Sequence, residues 1–298
     1  MNVKKGRHSA SDNRFEVLLI VILCILGVIV AYPLIYVLSS SFSSPSAVMS
    51  GRVWLFPEDF SLEGYRAIFK NRQVLVGYRN SLFYMVVGTC INVVMTMLAA
   101  YPLSRRDMPG QGPIMMLFTF TMIFSGGMIP TYLVIKNLHM LNTVWSMLIP
   151  GAISVHNMII ARTFIHNSIP LEMLEATQIE GCSDAQYFFR MVLPLSGSVI
   201  AVITLYYAIG HWNAYFNAFM YLSDQNLYPL QLFLRDILIS NKVDANMVIL
   251  DDGEVAKEGL AELLKYSLIV VAMLPVMIIY PFVQKHFVKG VMIGAVKG

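Results

Sequence analysis

The sequence predicts an all-α, polytopic membrane protein: six transmembrane helices and one structured loop on the cytoplasmic side. Three observations point there. Of the 298 residues, 57% are apolar and only 13% charged, against roughly 25% charged in soluble domains. Six windows hold the roughly 20 mostly apolar residues needed to cross about 30 Å of hydrocarbon. One long interruption, Asn167 to Pro194 (NSIPLEMLEATQIEGCSDAQYFFRMVLP), is dense in charge between two apolar runs. The net charge of +3 is too small and too dispersed to suit nucleic acid, and no basic stripe with interleaved aromatics appears.

In chain order, the tail 1–16 carries Lys4, Lys5, Arg7 and Arg14 against Asp12 and Glu16, which favours a cytoplasmic start. The first span is expected near Val17 to Ser41. Its apolar run exceeds the 7 to 15 residues of a signal-peptide core, so it is read as an uncleaved span. Ser43 to Asn80 holds Trp54, Phe56, Pro57, Phe60, Tyr65 and Phe69 among charges, the pattern of an ordered outer loop with interfacial aromatics. The second span, Ser81 to Leu103, ends in a short inner turn with Arg105, Arg106, Pro109 and Gly110. The third, Pro113 to Ile135, contains Ser125, Gly126, Gly127 and Pro130, which loosen a helix and free backbone groups that need partners within protein. The fourth is expected at Thr143 to Ile165, the fifth at Leu195 to Leu222 and the sixth at Leu264 to Val283, within a six-helix transmembrane domain 17–284. A polar outer segment, 223–263, precedes the last span. An even count returns the tail 285–298, with Lys285, Lys289 and Lys297, to the side of the N-terminus.

The loop itself reads as helix, tight turn, helix. Pro170 suits a first turn, Leu171 to Glu180 contains no helix breaker, and Gly181 fits the position just past a helix end. Ser183 and Gln186 have the spacing of a capping box, Asp184 complements the positive end of the helix dipole, and Pro194 stands where a helix would lose a backbone bond. Helices this short are marginal alone in water, so both need a surface to rest on.

Absences narrow the class. No Asp, Glu, Lys or Arg lies in the middle of any span, and only His156 and His211 are ionisable groups of interest there. Ion-coupled carriers keep such groups near the midplane. No phosphate-cradling Gly-x-x-x-x-Gly-Lys-Ser/Thr loop is present, so energy has to arrive through another chain. No His-Glu-x-x-His or Gly-x-Ser-x-Gly motif occurs, and neither the histidines nor Cys24, Cys90 and Cys182 have ligand spacing. No catalytic residue and no metal site is assigned. The fifth span is the most polar, with Tyr206, Tyr207, His211, Trp212, Asn213, Tyr215 and Asn217. Aromatic faces beside amides suit sugars, and they equally suit bonds between helices.

Glu175, Ala176, Gly181, Leu193 and Pro194 stand at the spacing of a loop motif, Glu-Ala-Ala, three residues, Gly, nine residues and Ile-x-Leu-Pro, with Thr177 and Met191 as departures. In this the chain resembles the inner-membrane permease subunits of ATP-binding-cassette importers. The segments HWNAYFNAFMYL and KGVMIGAVKG resemble carbohydrate permeases, MalG-like and, closer, LplC/YtcP-like ones of oligosaccharide systems. The resemblance implies a type I importer fold in a bacterial plasma (inner) membrane, with both termini cytoplasmic. It implies a second homologous permease, two ATPase subunits that bind the ATP and Mg, and an extracytoplasmic substrate-binding protein delivering a sugar or oligosaccharide; the chain itself would hold no cofactor. Leu171, Leu174, Glu175, Ala176, Gly181 and Pro194 would form the ATPase-coupling element, with Glu175 entering a cleft of the ATPase. Tyr206, His211, Trp212, Asn213, Tyr215 and Asn217 would line the substrate path, and Asn246, Asp251, Asp252 and Gly253 would meet the binding protein. The alternatives are a permease for a polyamine or peptide and a channel or scaffold without an ATPase.

Overall fold

The computed structural model describes the backbone of residues 10–240 and 254–295 and the side chains of 15–238 and 259–281. Every regular element among them is helical. In chain order these are α1 (Ala10–Ser41), α2 (Pro45–Met49), α3 (Glu63–Lys70), α4 (Arg72–Ser104), α5 (Gln111–Ile123), α6 (Met128–Asn137), α7 (Trp145–Leu148), α8 (Val155–Ser168) and α9 (Leu171–Ile179). Then follow α10 (Asp184–Tyr187), a π-helical turn Phe188–Val192, α11 (Leu193–Leu195), α12 (Gly197–Trp212), α13 (Tyr215–Tyr221), α14 (Leu230–Ser240) and α15 (Glu254–Ala295).

Among the described residues three stretches are continuous, long and apolar enough to cross a membrane: Phe15–Ser41, Arg72–Ser104 and Gly259–Pro281. Two more candidates are bent pairs, α5 with α6 at 113° and Asp184–Leu195 with α12 at 79°. The third expected span is thus broken at Phe124 to Gly127, where Gly127 has φ +85°. The window Thr143 to Ile165 is not one helix either. Gly151 adopts φ +77°, and Ser154 starts α8 afresh by accepting the N–H of Asn157. The 14 residues of α8 span about 21 Å, short of the roughly 30 Å of hydrocarbon. The expected fifth span likewise divides, into α12 and α13.

The chain forms two compact units. The first comprises residues 1–71 and 242–271. Within it Ser39, Ser40, Ser41 and Ser43 are buried. Ser39 Oγ donates to Leu55 O (2.7 Å), Ser43 Oγ accepts from Glu58 N (3.1 Å), and Ser41 Oγ bonds Tyr65 OH (2.8 Å). Burial pushes the Tyr65 phenol up from its ordinary value. Trp54, Phe56, Phe60 and Phe69 remain exposed.

The second unit comprises residues 72–241 and 272–298. Helix α4 is its axis, with α8, α12 and α14 packed along it. The segment read as polar between Ser223 and Leu263 contains α14, which buries Leu230, Leu232, Phe233 and Ile237. Gly77 makes room for it, since a Cβ there would stand 2.8 Å from Phe233 Cδ2. One core cluster joins Met97, Ala100 and Leu103 of α4 to Met158, Ala161 and Ile165 of α8. Tyr187, Phe188, Val192, Val199, Ile203 and Tyr207 complete it, together with Leu174 of α9. The charged loop is therefore seated on the ends of α4 and α8.

Candidate functional site

Helix α9 begins at Pro170, an extended cap one residue ahead of the first turn (φ −63°, ψ 145°). It ends in a Schellman motif: Cys182 N bonds Thr177 O (3.0 Å) and Gly181 N bonds Gln178 O (3.0 Å), with Gly181 at φ +79°. That left-handed residue is why glycine stands there. The helix has two faces. Leu174 and Thr177 are buried, and the Thr177 hydroxyl is satisfied by its own helix at Met173 O (3.0 Å) and Leu174 O (2.9 Å). Leu171, Glu175 and Ile179, at i, i+4 and i+8, lie exposed with Ala176. The exposed stripe is apolar, acidic, apolar.

The second helix opens with a complete capping box: Ser183 N donates to Gln186 Oε1 (3.1 Å) and Gln186 N to Ser183 Oγ (3.3 Å). Asp184 takes Arg105 as its ion-pair partner. Pro194 does not end the helix, because the π turn before it carries the Leu193 N–H to Phe188 O, and Pro194 then enters a new short turn. The chain bends two residues later, at the buried Ser196. The carbonyls at the end of α4 are capped by α8: Arg162 Nε donates to Leu103 O (3.0 Å) and His166 Nδ1 to Ser104 O (2.9 Å). The Arg105 guanidinium holds the Asp107 carboxyl below its ordinary range.

Elsewhere in the same unit a cavity of about 620 Å³ is lined by Asn92, Ser154, His156, Asn157, Tyr206, Tyr207, His211 and Asn217, with Met147, Pro150, Gly151, Gly210 and Ala214. Its polar wall is cross-braced. Asn92 Nδ2 donates to Gly151 O and Ala152 O (both 3.0 Å), and Asn92 Oδ1 bonds His211 Nε2 (2.6 Å). Tyr207 OH bonds Thr96 Oγ1 (2.6 Å) and accepts from Ser154 N (2.9 Å). Titratable groups in the lining are two imidazoles and two phenols, with no carboxylate or cation. Among the described residues no cluster of three His, Cys, Asp or Glu could hold a metal.

Residues 74–293 match the family described as binding-protein-dependent transport system inner membrane component. The chain belongs to that family. It is 42% identical over 285 residues to the polygalacturonan/rhamnogalacturonan transport system permease protein YtcP of Bacillus subtilis (strain 168), covering 95% of this chain and 98% of that one. It is 39% identical over 298 residues to the protein LplC of the same organism, covering 100% and 97%. The fold is similar, at TM-score 0.86 and 32% identity, to a bacterial ABC transporter involved in the import of the acidic polysaccharide alginate, over 95% of this chain and 100% of that one. The protein is therefore the membrane permease component of a binding-protein-dependent importer, an all-helical type I chain.

In this permease the residues expected to line a path separate into two groups. Tyr206, His211 and Asn217 share the cavity. Trp212 lies outside it: its indole is 1% exposed, donates to Ala272 O (3.0 Å) and meets the Tyr78 ring edge-on at 5.7 Å. Asn213 bonds back to Ile209 O (3.0 Å) in its own helix, and Tyr215 is exposed beyond it. Asn246, Asp251, Asp252 and Gly253 lie outside the described residues. Sequence reasoning missed Asn92, Ser154 and Asn157, and also Arg105 as the partner of Asp184. The signal for Asn92 was present: Thr89, Asn92 and Thr96 form a polar stripe at i, i+3 and i+7 in an otherwise apolar span.

Proposed function

We propose that this permease forms part of the translocation path for a carbohydrate and couples it to ATP hydrolysis by separate subunits docked against α9. Its complex would comprise a second homologous permease, two ATPase subunits that bind ATP and Mg, and an extracytoplasmic binding protein. The observation that carries this reading is the two-faced α9: Leu174 and Thr177 anchor it while Leu171, Glu175, Ala176 and Ile179 stand free for a partner. The Glu175 carboxylate would meet a basic group there. Chain termini and coupling loop then share the cytoplasmic side, consistent with the basic tails.

The cavity supports a sugar. It pairs hydroxyl- and amide-bearing side chains with tyrosine faces, and a polyamine would lack any carboxylate to balance its charge. The fold's match imports a polysaccharide described as acidic, and imidazoles without carboxylates suit such a solute. Closure of the ATPases would draw the coupling helices together and switch the cavity between its two faces.

Affinity purification of the tagged permease from its native membrane tests the reading. An ATP-hydrolysing chain should co-purify, and uptake should follow a saccharide bound by the associated binding protein. A permease that purifies intact with no such chain would overturn it.

A further inference from the structure

Arg105 stands where three segments meet. Its Nε donates to Asp107 Oδ1 (2.9 Å) and its Nη2 to Asp107 Oδ2, while Nη1 donates to Tyr101 OH (3.2 Å) and to Asp184 Oδ1. Those bonds leave one of the five guanidinium N–H groups over. Tyr101 lies in the last turns of α4, Asp107 in the turn that follows, and Asp184 opens α10. The arginine side chain is 15% exposed, whereas Asp184 is 66% exposed. A pair this open to water adds little stability, so what it supplies is geometry. The apolar contacts of Leu174, Tyr187 and Phe188 with α4 are non-directional and allow sliding; a planar fork held by two carboxylates and a phenol fixes angle and register.

Helix α4 runs unbroken from Arg72 to Ser104. Nine residues separate Tyr101 from Asn92, about 14 Å along the axis, and Asn92 is the residue that holds His211 in the cavity wall. We propose that Arg105 is a positioning residue that makes the coupling loop and α4 a single moving body, so that displacement of α9 and α10 arrives at Asn92 and His211. This rests on the reading that ATPase subunits pull on α9. A lysine, a point charge on a flexible stem, would not replace it.

Two native cysteines report the two ends. Cys182 lies in the loop, half-buried, and Cys90 is exposed on α4. In a Cys24→Ser background, with either Cys90 or Cys182 as the single remaining thiol, the permease co-purified with its ATPase is labelled with bimane, and emission is followed on adding Mg-ATP and vanadate. Both reporters should respond in the otherwise native chain. In Arg105→Gln and Asp184→Asn the Cys182 response should persist and the Cys90 response should be lost, and Asp184→Glu should restore it. A Cys90 response undiminished in both variants overturns the proposal while leaving the transport reading intact. Should Arg105→Gln fail to assemble, Asp184→Asn against Asp184→Glu decides. No response at Cys182 in the native chain would instead remove the premise that the ATPase subunits move α9 and α10, and the proposal with it.

Discussion

Asn92 Oδ1 lies 2.6 Å from His211 Nε2, and that contact fixes the imidazole proton. The Asn92 amide nitrogen faces two carbonyls, Gly151 O and Ala152 O, so its oxygen points at the ring. A carbonyl oxygen only accepts, hence Nε2 carries the hydrogen. His211→Leu should strand the Asn92 oxygen at a cost of about 1 to 3 kcal/mol. The measurement is the unfolding temperature in detergent, and Asn92→Leu combined with His211→Leu should cost less than the sum of the two.

Gly88 is required by the same contact. A Cβ there would stand 2.4 Å from His211 Nε2, against a rigid ring rather than a flexible tip. Gly88→Ala should destabilise by about 1 to 3 kcal/mol through overpacking and lower uptake. Native thermal stability and native uptake in that variant would contradict the packing described.

Leu174 and Glu175 are neighbours on opposite faces of α9, one buried and one exposed. Leu174→Ala removes a side chain 7% exposed in the core cluster, and about 2 to 5 kcal/mol is expected for such a truncation. Glu175→Ala should leave unfolding temperature unchanged yet reduce co-purification of the ATPase and uptake. Equal effects of the two changes on stability would show that the faces of α9 are not divided as proposed.

Gly181→Val tests the turn between the two loop helices. The position has φ +79°, which costs a β-branched residue about 1 to 2 kcal/mol. Protease cleavage within residues 178–184 should accelerate, whereas Gly181→Asn should remain close to native.

The pH response of the Arg105 cluster follows from Asp107, whose carboxyl is held low chiefly by its bonds from Arg105. A depressed folded value means the stabilisation is complete above the ordinary value of about 3.9 and fades as pH falls through the lower one. Bimane emission at Cys182 should therefore be flat between about pH 5 and 8 and change only in acid below about pH 4. Because Asp107 is largely exposed, the acid change should be small.

Local chemistry was the legible part of the sequence. The Ser183 and Gln186 box, the Gly181 stop and the limits of α9 are set by residues within one turn of each other, and the folded chain shows them nearly residue for residue. Membrane helices were legible as apolar windows, and the break at Ser125 to Gly127 as a glycine pair, but not the breaks at Pro150–Gly151 and Asn213–Ala214, which hydropathy averages over. Partners distant in sequence were illegible. Trp212 looked like a sugar platform because nothing local reveals that Ala272 O, 60 residues on, takes its N–H.

The π turn at Phe188–Val192 has a further consequence. One surplus residue is wound into that turn, and it spares the Pro194 ring the clash an α-helical register would impose at the Arg190 carbonyl. It also sets the rotational phase between Asp184 and α12. Deleting one residue there would unwind that surplus and swing everything upstream by about 100° about the helix axis, turning the capped acidic end away from the guanidinium that awaits it. The proline and the widened turn thus act together as an index mark for the whole loop.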